Sequence, residues 1–184
     1  MHPTTRSEGS FALPRGLLHR LLAPLLLAAL AACQPAASAP PPAALYTAEQ
    51  VATLRQYGFE EEGDNWLLGL DSKLLFPSDG SMLEQDQVRK LGEMSGALLR
   101  VGIGGVSVEG HADSTGQATY NQQLSLRRAE AVKTALVAGG MREDAVQAVG
   151  WGDTRPIESN ATAAGRKENR RVVVIVSPDD VIRY

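Results

Sequence analysis

Thiols and imidazoles are almost missing from this 184-residue chain. It has one cysteine, Cys33, and three histidines, of which only His111 lies beyond residue 32. A lone cysteine excludes an intramolecular disulfide, and one histidine with no second thiol gives no zinc set. Basic charge is also short: the formal net charge is −3, which argues against nucleic acid as a partner and against a polybasic grip on anionic lipid. The apolar run Leu21–Ala32 contains Pro24 and is too short to cross a bilayer, which takes about 20 residues. No internal repeat is present. Catalytic residues are equally sparse. Ser114, His111 and Asp113 sit too close together in sequence to form an oriented relay with an oxyanion site, so neither enzyme chemistry nor a cofactor or metal is expected.

The amino-terminal residues have a different purpose. Arg6, Arg15 and Arg20 precede the apolar run, and small residues close it, so residues 1–32 read as a secretory signal rather than an anchor helix. Leu30-Ala31-Ala32-Cys33 resembles the bacterial lipobox, which implies acylation of Cys33 and cleavage before it. Gln34 follows, where an aspartate would favour inner-membrane retention, so the outer membrane, facing the periplasm, is the expected location. Beyond residue 32 the chain holds fifteen Lys and Arg against twenty Asp and Glu. Attachment must therefore come from the acyl chains, at about 0.8 kcal/mol per buried CH₂. Residues 33–46 form the lipidated cysteine and a Pro/Ala tether. The proline run of Gln34–Ala44 favours polyproline II at about 3.1 Å per residue, a reach of about 35 Å.

Globular patterning begins at Thr47, which can cap a short helix with Gln50 at the capping-box position and Val51 and Leu54 on one face; Gly58 ends it. Residues 47–65 are read as a helix and linker, and residues 66–184 as the main domain. Trp66–Leu70 and Lys73–Phe76 read as two short strands around Asp71-Ser72. Ser81–Arg100 is an amphipathic helix with a Leu91, Met94, Leu98 stripe. Val101–Glu109 alternates as a strand with a bulge at Gly104-Gly105. A second helix, Thr119–Val137, is closed by Gly139-Gly140. Strands follow at Ala145–Trp151 and Arg171–Ser177, the latter central by its run of β-branched residues. The order β-α-β-α-β-β predicts a single α/β (α+β) sandwich with a mixed sheet and helices packed on it.

The strand ending at Gly110 delivers Asp113 to a strand-to-helix turn, where ligands of α/β sheets usually bind. Gly116 lets that turn tighten and exposes backbone amides, and Ser114 lies within it. On the following helix Asn121, Ser125 and Arg128 share one face, with Arg127 about 100° away. A carboxylate and a guanidinium on neighbouring elements suit a small zwitterion, Asp113 accepting from an ammonium and Arg128 forking a carboxylate. From spacing alone two other readings stand beside this one: Asp113 and Arg128 form a structural ion pair, or Asp113 caps the helix.

Four segments in order, VEGHADSTG, YNQQLSLRRAEAV, GWGDTRP and GRKENRRVVVIV, resemble the OmpA C-terminal peptidoglycan-binding family, which includes the peptidoglycan-associated lipoprotein and flagellar stator proteins. The resemblance covers roughly residues 74–176. It implies a pocket for the diaminopimelate residue of the peptidoglycan stem peptide, with Asp113 on the ammonium, Arg128 on the carboxylate and Asn121 from the helix. It further implies that the loop Phe76–Gly80 lines the mouth through Ser78, Asp79 and Gly80. Ser114 and Gly116 complete the candidate set. Asn169, Arg170 and Arg171 match a motif read as structural or at the pocket edge. The sequence departs from the family at Ala112, where threonine is commoner, and at Pro77-Ser78. Residues 47–83 resemble a signalling branch of outer-membrane lipoproteins. That implies capture of a periplasmic repressor, release of a membrane diguanylate cyclase, and a rise in cyclic di-GMP that favours biofilm. The alternative is a purely structural tether between outer membrane and wall.

Overall fold

In the computed structural model of the chain, residues 45–76 and 80–182 are described. The expected signal segment, Cys33 and the tether Gln34–Ala44 lie outside them. Helix α1 (Ala48–Gln56) starts where expected, with a reciprocal capping box between Thr47 and Gln50. Gln50 is itself buried and donates from Nε2 to the carbonyl of Val101 at 3.0 Å, tying α1 to the end of a later helix. Gly58, at a φ of 84°, turns the chain out of α1.

Among the described residues five strands form one mixed sheet in the order β1-β2-β5-β3-β4. They are β1 (Glu60–Glu62), β2 (Asn65–Asp71), β3 (Val106–Gly110), β4 (Val146–Gly150) and β5 (Arg171–Val176). Only the β3–β4 pair is parallel; β5 is antiparallel to both of its neighbours. The helices α3 (Gln85–Arg100) and α4 (Ala118–Ala138) supply the other layer. Leu91, Met94 and Leu98 of α3 and Val132 and Leu136 of α4 join Val106, Val108, Val172, Val174, Val176 and Trp66 in one apolar core. The mixed-sheet architecture expected from the sequence is the one observed, and β5 is its central strand.

Three expectations fail locally. Lys73–Phe76 is not a strand: the Asp71 carboxylate accepts from the Lys73 amide at 2.8 Å and caps a helical turn, α2 (Ser72–Leu75). Side-chain capping by aspartate competes with the ladder at this point. The strand expected from Val101 begins only at Val106. Before it, Val101 caps α3, Gly102 takes a φ of 79°, and Ile103 makes an isolated bridge to Val181. A side chain at Gly105 would meet the Ala145 carbonyl at 2.8 Å, so this segment is fixed by backbone crowding rather than by pairing. The strand β1 is unexpected altogether, because three exposed glutamates read as a solvated charge run. It pairs with β2 across Gly63, and its charge protects a sheet edge from pairing with other chains.

Gly110 and Gly150 are register partners across β3 and β4. A Cβ at Gly110 would stand 2.0 Å from the Ser125 carbonyl oxygen, and one at Gly150 2.5 Å from the Leu126 amide nitrogen. Helix α4 thus rests on the sheet at backbone contact. Gly110→Ala is expected to destabilise the fold by about 3 kcal/mol or more, since backbone cannot yield as a side chain does. An unchanged midpoint in chemical denaturation would show that α4 is not held by this contact.

Candidate functional site

Beyond β3 the chain keeps its place by pairing across the sheet end: the His111 amide donates to the Arg171 carbonyl (2.9 Å) and the Ala112 amide to the Gly152 carbonyl (2.8 Å). Asp113 then opens a tight turn. Its Oδ1 accepts from the Thr115 amide at 2.8 Å, and Gly116 adopts a φ of 88°. Asn121 clamps the turn from α4, donating from Nδ2 to the carbonyls of Asp113 and Thr115, each at 3.1 Å. The Ser114 amide donates to Asn160 Oδ1 at 3.2 Å. Asn160 is held in turn by the fully buried Asn169, whose Nδ2 donates to the same Oδ1 at 2.9 Å.

These contacts shape a cavity of about 380 Å³ lined by Lys73, Ala112, Asp113, Thr115, Tyr120, Asn121, Leu124, Arg128, Arg166 and Arg170. Asp113 and Arg128 are both buried and both reach it, one from the turn and one from α4. Arg128 donates from Nε to the Gly80 carbonyl at 3.0 Å and lies 5.3 Å from the Phe76 ring centroid, a cation–π arrangement. Arg127 is exposed, as the helical phasing required. Ser125 shares the face but serves the scaffold: its Oγ accepts from the Gly152 amide and donates to the Gln122 carbonyl, both at 2.9 Å.

Asp113 adopts neither of the two structural arrangements open from spacing. The N-cap of α4 is Gln117, so Asp113 does not cap it. Its ion pair is with Arg170, which donates to Oδ2, and not with Arg128. Burial alone would raise the Asp113 pKa, but the Thr115 and Arg170 hydrogen bonds outweigh it and hold the carboxyl below its ordinary range. Of the remaining candidates, Gly80 is present through its carbonyl on Arg128, Ser114 and Gly116 shape the turn without lining the cavity, and Ser78 and Asp79 lie outside the described residues. Lys73, Tyr120 and Arg166 line the cavity without being expected there. Lys73 reads from sequence as part of a strand, where no alternation points it at this cavity. Arg166 and Arg170 stand inside a recognised motif, but no local pattern joins them to a turn more than fifty residues earlier.

His111 is not among the cavity residues. The expectation for it is burial with a hydrogen bond. It is buried, at 3% exposure, but neither ring nitrogen has a hydrogen-bond partner among the described residues. Glu109 Oε2 stands 3.5 Å from Nε2, too far for a good hydrogen bond, and Arg155 lies 3.6 Å from the same carboxylate while stacking on Trp151. Burial first, then the charges of Arg171 and Arg155, push the His111 pKa down to about 4. The imidazole is therefore neutral across ordinary pH, and its ring nitrogens bond neither Ser114 nor Asp113, so these three residues are not arranged as a relay.

Residues 75–170 match the model of the OmpA family. The chain is 41% identical over 163 residues to the outer-membrane lipoprotein YfiB of Pseudomonas aeruginosa, covering 89% of this chain and 94% of that one. It is 35% identical over 164 residues to the putative lipoprotein YfiB of Escherichia coli, covering 88% and 99%. Among solved structures, the cell wall anchor of the T6SS from Pseudomonas aeruginosa superposes with a TM-score of 0.59 at 30% identity, covering 70% of this chain and 94% of that one. The chain belongs to the OmpA family.

The neutral, buried imidazole has a consequence for stability. An unfolded histidine titrates near 6.5 and the folded one at about 4, so between these values the unfolded state holds the extra proton and stability falls as pH falls. Wild type should lose about 2–3 kcal/mol from this group between pH 7 and pH 4.5. His111→Gln should lose that much less over the same interval, as measured by urea denaturation. Equal losses in both proteins would mean that His111 does not carry the dependence.

Proposed function

We propose that this OmpA-family chain is an outer-membrane lipoprotein whose cavity binds, without covalent chemistry, the diaminopimelate side chain of a peptidoglycan stem peptide. The observation that carries the reading is the meeting of Asp113 and Arg128, buried in one cavity and delivered by different elements. Asp113 accepts one hydrogen bond at each oxygen from within the protein, and a carboxylate has about four acceptor sites, so capacity remains for an ammonium. Arg128 faces the ligand's carboxylate, with Asn121 holding the turn through Nδ2 and lining the same cavity. Binding needs no metal or cofactor and leads to no bond cleavage. Cys33, acylated, is the membrane attachment.

The signalling role is the finer part of the proposal. The YfiB relatives match most of the residues ahead of residue 75 as well as the family region, which supports a shared role for α1 and the β1–β2 hairpin. In this reading wall engagement holds the protein extended, and the extended form captures a periplasmic repressor that otherwise restrains a membrane diguanylate cyclase. The short tether favours signalling over simple mooring, because wall contact requires the tether to be drawn out.

Asp113→Asn and Arg128→Gln should each remove a charge-assisted contact of about 1.5–3 kcal/mol, lowering affinity about tenfold or more. The check is co-sedimentation with diaminopimelate-type sacculi; two variants that sediment like wild type would refute the pocket assignment. Lysine-type sacculi, lacking the second carboxylate, should bind poorly. Lengthening Gln34–Ala44 should raise cyclic di-GMP in cells. Unchanged cyclic di-GMP, together with envelope blebbing in a deletion strain, would favour the simple tether.

A further inference from the structure

Among the described residues the cavity carries more positive charge than one zwitterion can use: Lys73, Arg128, Arg166 and Arg170 line it beside one carboxylate, that of Asp113. That carboxylate is already in an ion pair with Arg170. A ligand end with one ammonium and one carboxylate is neutral overall, so seating it between Asp113 and Arg128 leaves the surplus untouched. Lys73 and Arg166 are the surplus. Arg166 is held in place by a hydrogen bond from Nη1 to the Asn160 carbonyl at 2.8 Å, a neutral partner that positions its charge without cancelling it. Lys73 is positioned by its backbone, through the Asp71 cap on its amide. Its ammonium makes no ion pair among the described residues; the nearby Asp71 carboxylate pairs instead with Lys167 at 3.5 Å. Lys73 and Arg166 make no ion pair among the described residues, and two such cations on a concave wall raise the local concentration of anions.

We propose that Lys73 and Arg166 form a second anion subsite, which reads a further free carboxylate on the bound peptide beyond its zwitterionic end. The ligand class is then a peptide carrying at least two free carboxylates beside one free ammonium. In a stem peptide the α-carboxylate of the glutamyl residue next to diaminopimelate supplies that group, and its amidation removes it. The inference rests on the reading that the zwitterionic side chain sits between Asp113 and Arg128. It adds a preference which that pair alone does not confer, since a neutral carboxamide at the neighbouring residue leaves the zwitterion intact.

The test is calorimetric titration of the full-length protein in detergent with two synthetic peptides: N-acetyl-Ala-γ-Glu-diaminopimelate with the carboxyl next to its peptide bond blocked as an amide, and the same peptide with the glutamyl α-carboxylate amidated as well. Wild type should bind the free acid about tenfold more tightly than the amide. Lys73→Gln should bind the amide as wild type does and lose most of the preference. Arg166→Lys, which keeps the charge, should retain it. A wild-type protein that binds both peptides equally, or a Lys73→Gln variant that keeps the full preference, would overturn the subsite while leaving the Asp113–Arg128 assignment standing. Failure of wild type to bind either peptide would overturn that assignment and the subsite with it.

Discussion

The site depends on the contact between α4 and the paired glycines of β3 and β4. With no side chain at Gly110 or Gly150, the helix backbone at Ser125–Leu126 descends onto the strands themselves. Helical geometry does the rest. Asn121 lies about one turn before this contact and Arg128 about one turn after it, on the same face. One is brought to the turn that follows β3, where it clamps the carbonyls of Asp113 and Thr115, and the other to the wall of the same cavity. Raising α4 by the thickness of a methyl group would separate these groups from Asp113 together, because a single rigid helix carries both.

The ion pair between Asp113 and Arg170 is compatible with a purely structural acid, but the surrounding chemistry fits a prepared acceptor. A buried carboxylate without support would take up a proton. Here Thr115 and Arg170 keep it ionised despite burial. Arg170 also follows directly after Asn169, whose side chain fixes the Ile157–Asn160 segment through four hydrogen bonds. That segment, through Asn160, holds the Ser114 amide. The residues around Asn169 thus secure the turn from behind and stabilise its charge from the side. An amide network and one guanidinium thus fix the position and the charge of the Asp113 carboxylate.

Much of this is legible in the sequence, for reasons that can be named. Periodicity locates α3 and α4, a run of β-branched residues locates the central strand, and helical phasing alone separates Arg128 from Arg127. Turn chemistry identifies Asp113 and Gly116. What stays hidden is of two kinds. One is local competition: Asp71 caps Lys73 into a helical turn within a run whose composition suits a strand, and a glutamate triplet pairs as an edge strand despite its charge. The other is distance along the chain. Arg170 reaches Asp113 only because β5 lies beside β3 in the sheet, and Lys73 reaches the cavity only because β2 lies beside β5. Strand order is a global property, and neither residue carries a local mark of it. The missing imidazole partners of His111 belong to the same class, since burial at a strand end is readable but the 3.5 Å gap to Glu109 is not.

The sheet also sets where the cavity stands relative to the start of the domain. Tyr46, just past the tether, donates from its hydroxyl to the Asp64 carbonyl at 3.1 Å and lies 3.3 Å from that of Val176. Val176 ends β5 beyond Ile175, the partner of Ser107 near the start of β3, whereas the cavity opens past Gly110, the partner of Val172. Tyr46 therefore meets the sheet at one end of the strands and the cavity lies at the other. At about 3.3 Å per residue, a five-residue strand separates them by about 17 Å. The hydrogen bonds of Tyr46 and Gln50 tie the start of the domain to the sheet and to the end of α3, so α1 is anchored at the end of the strands away from the cavity.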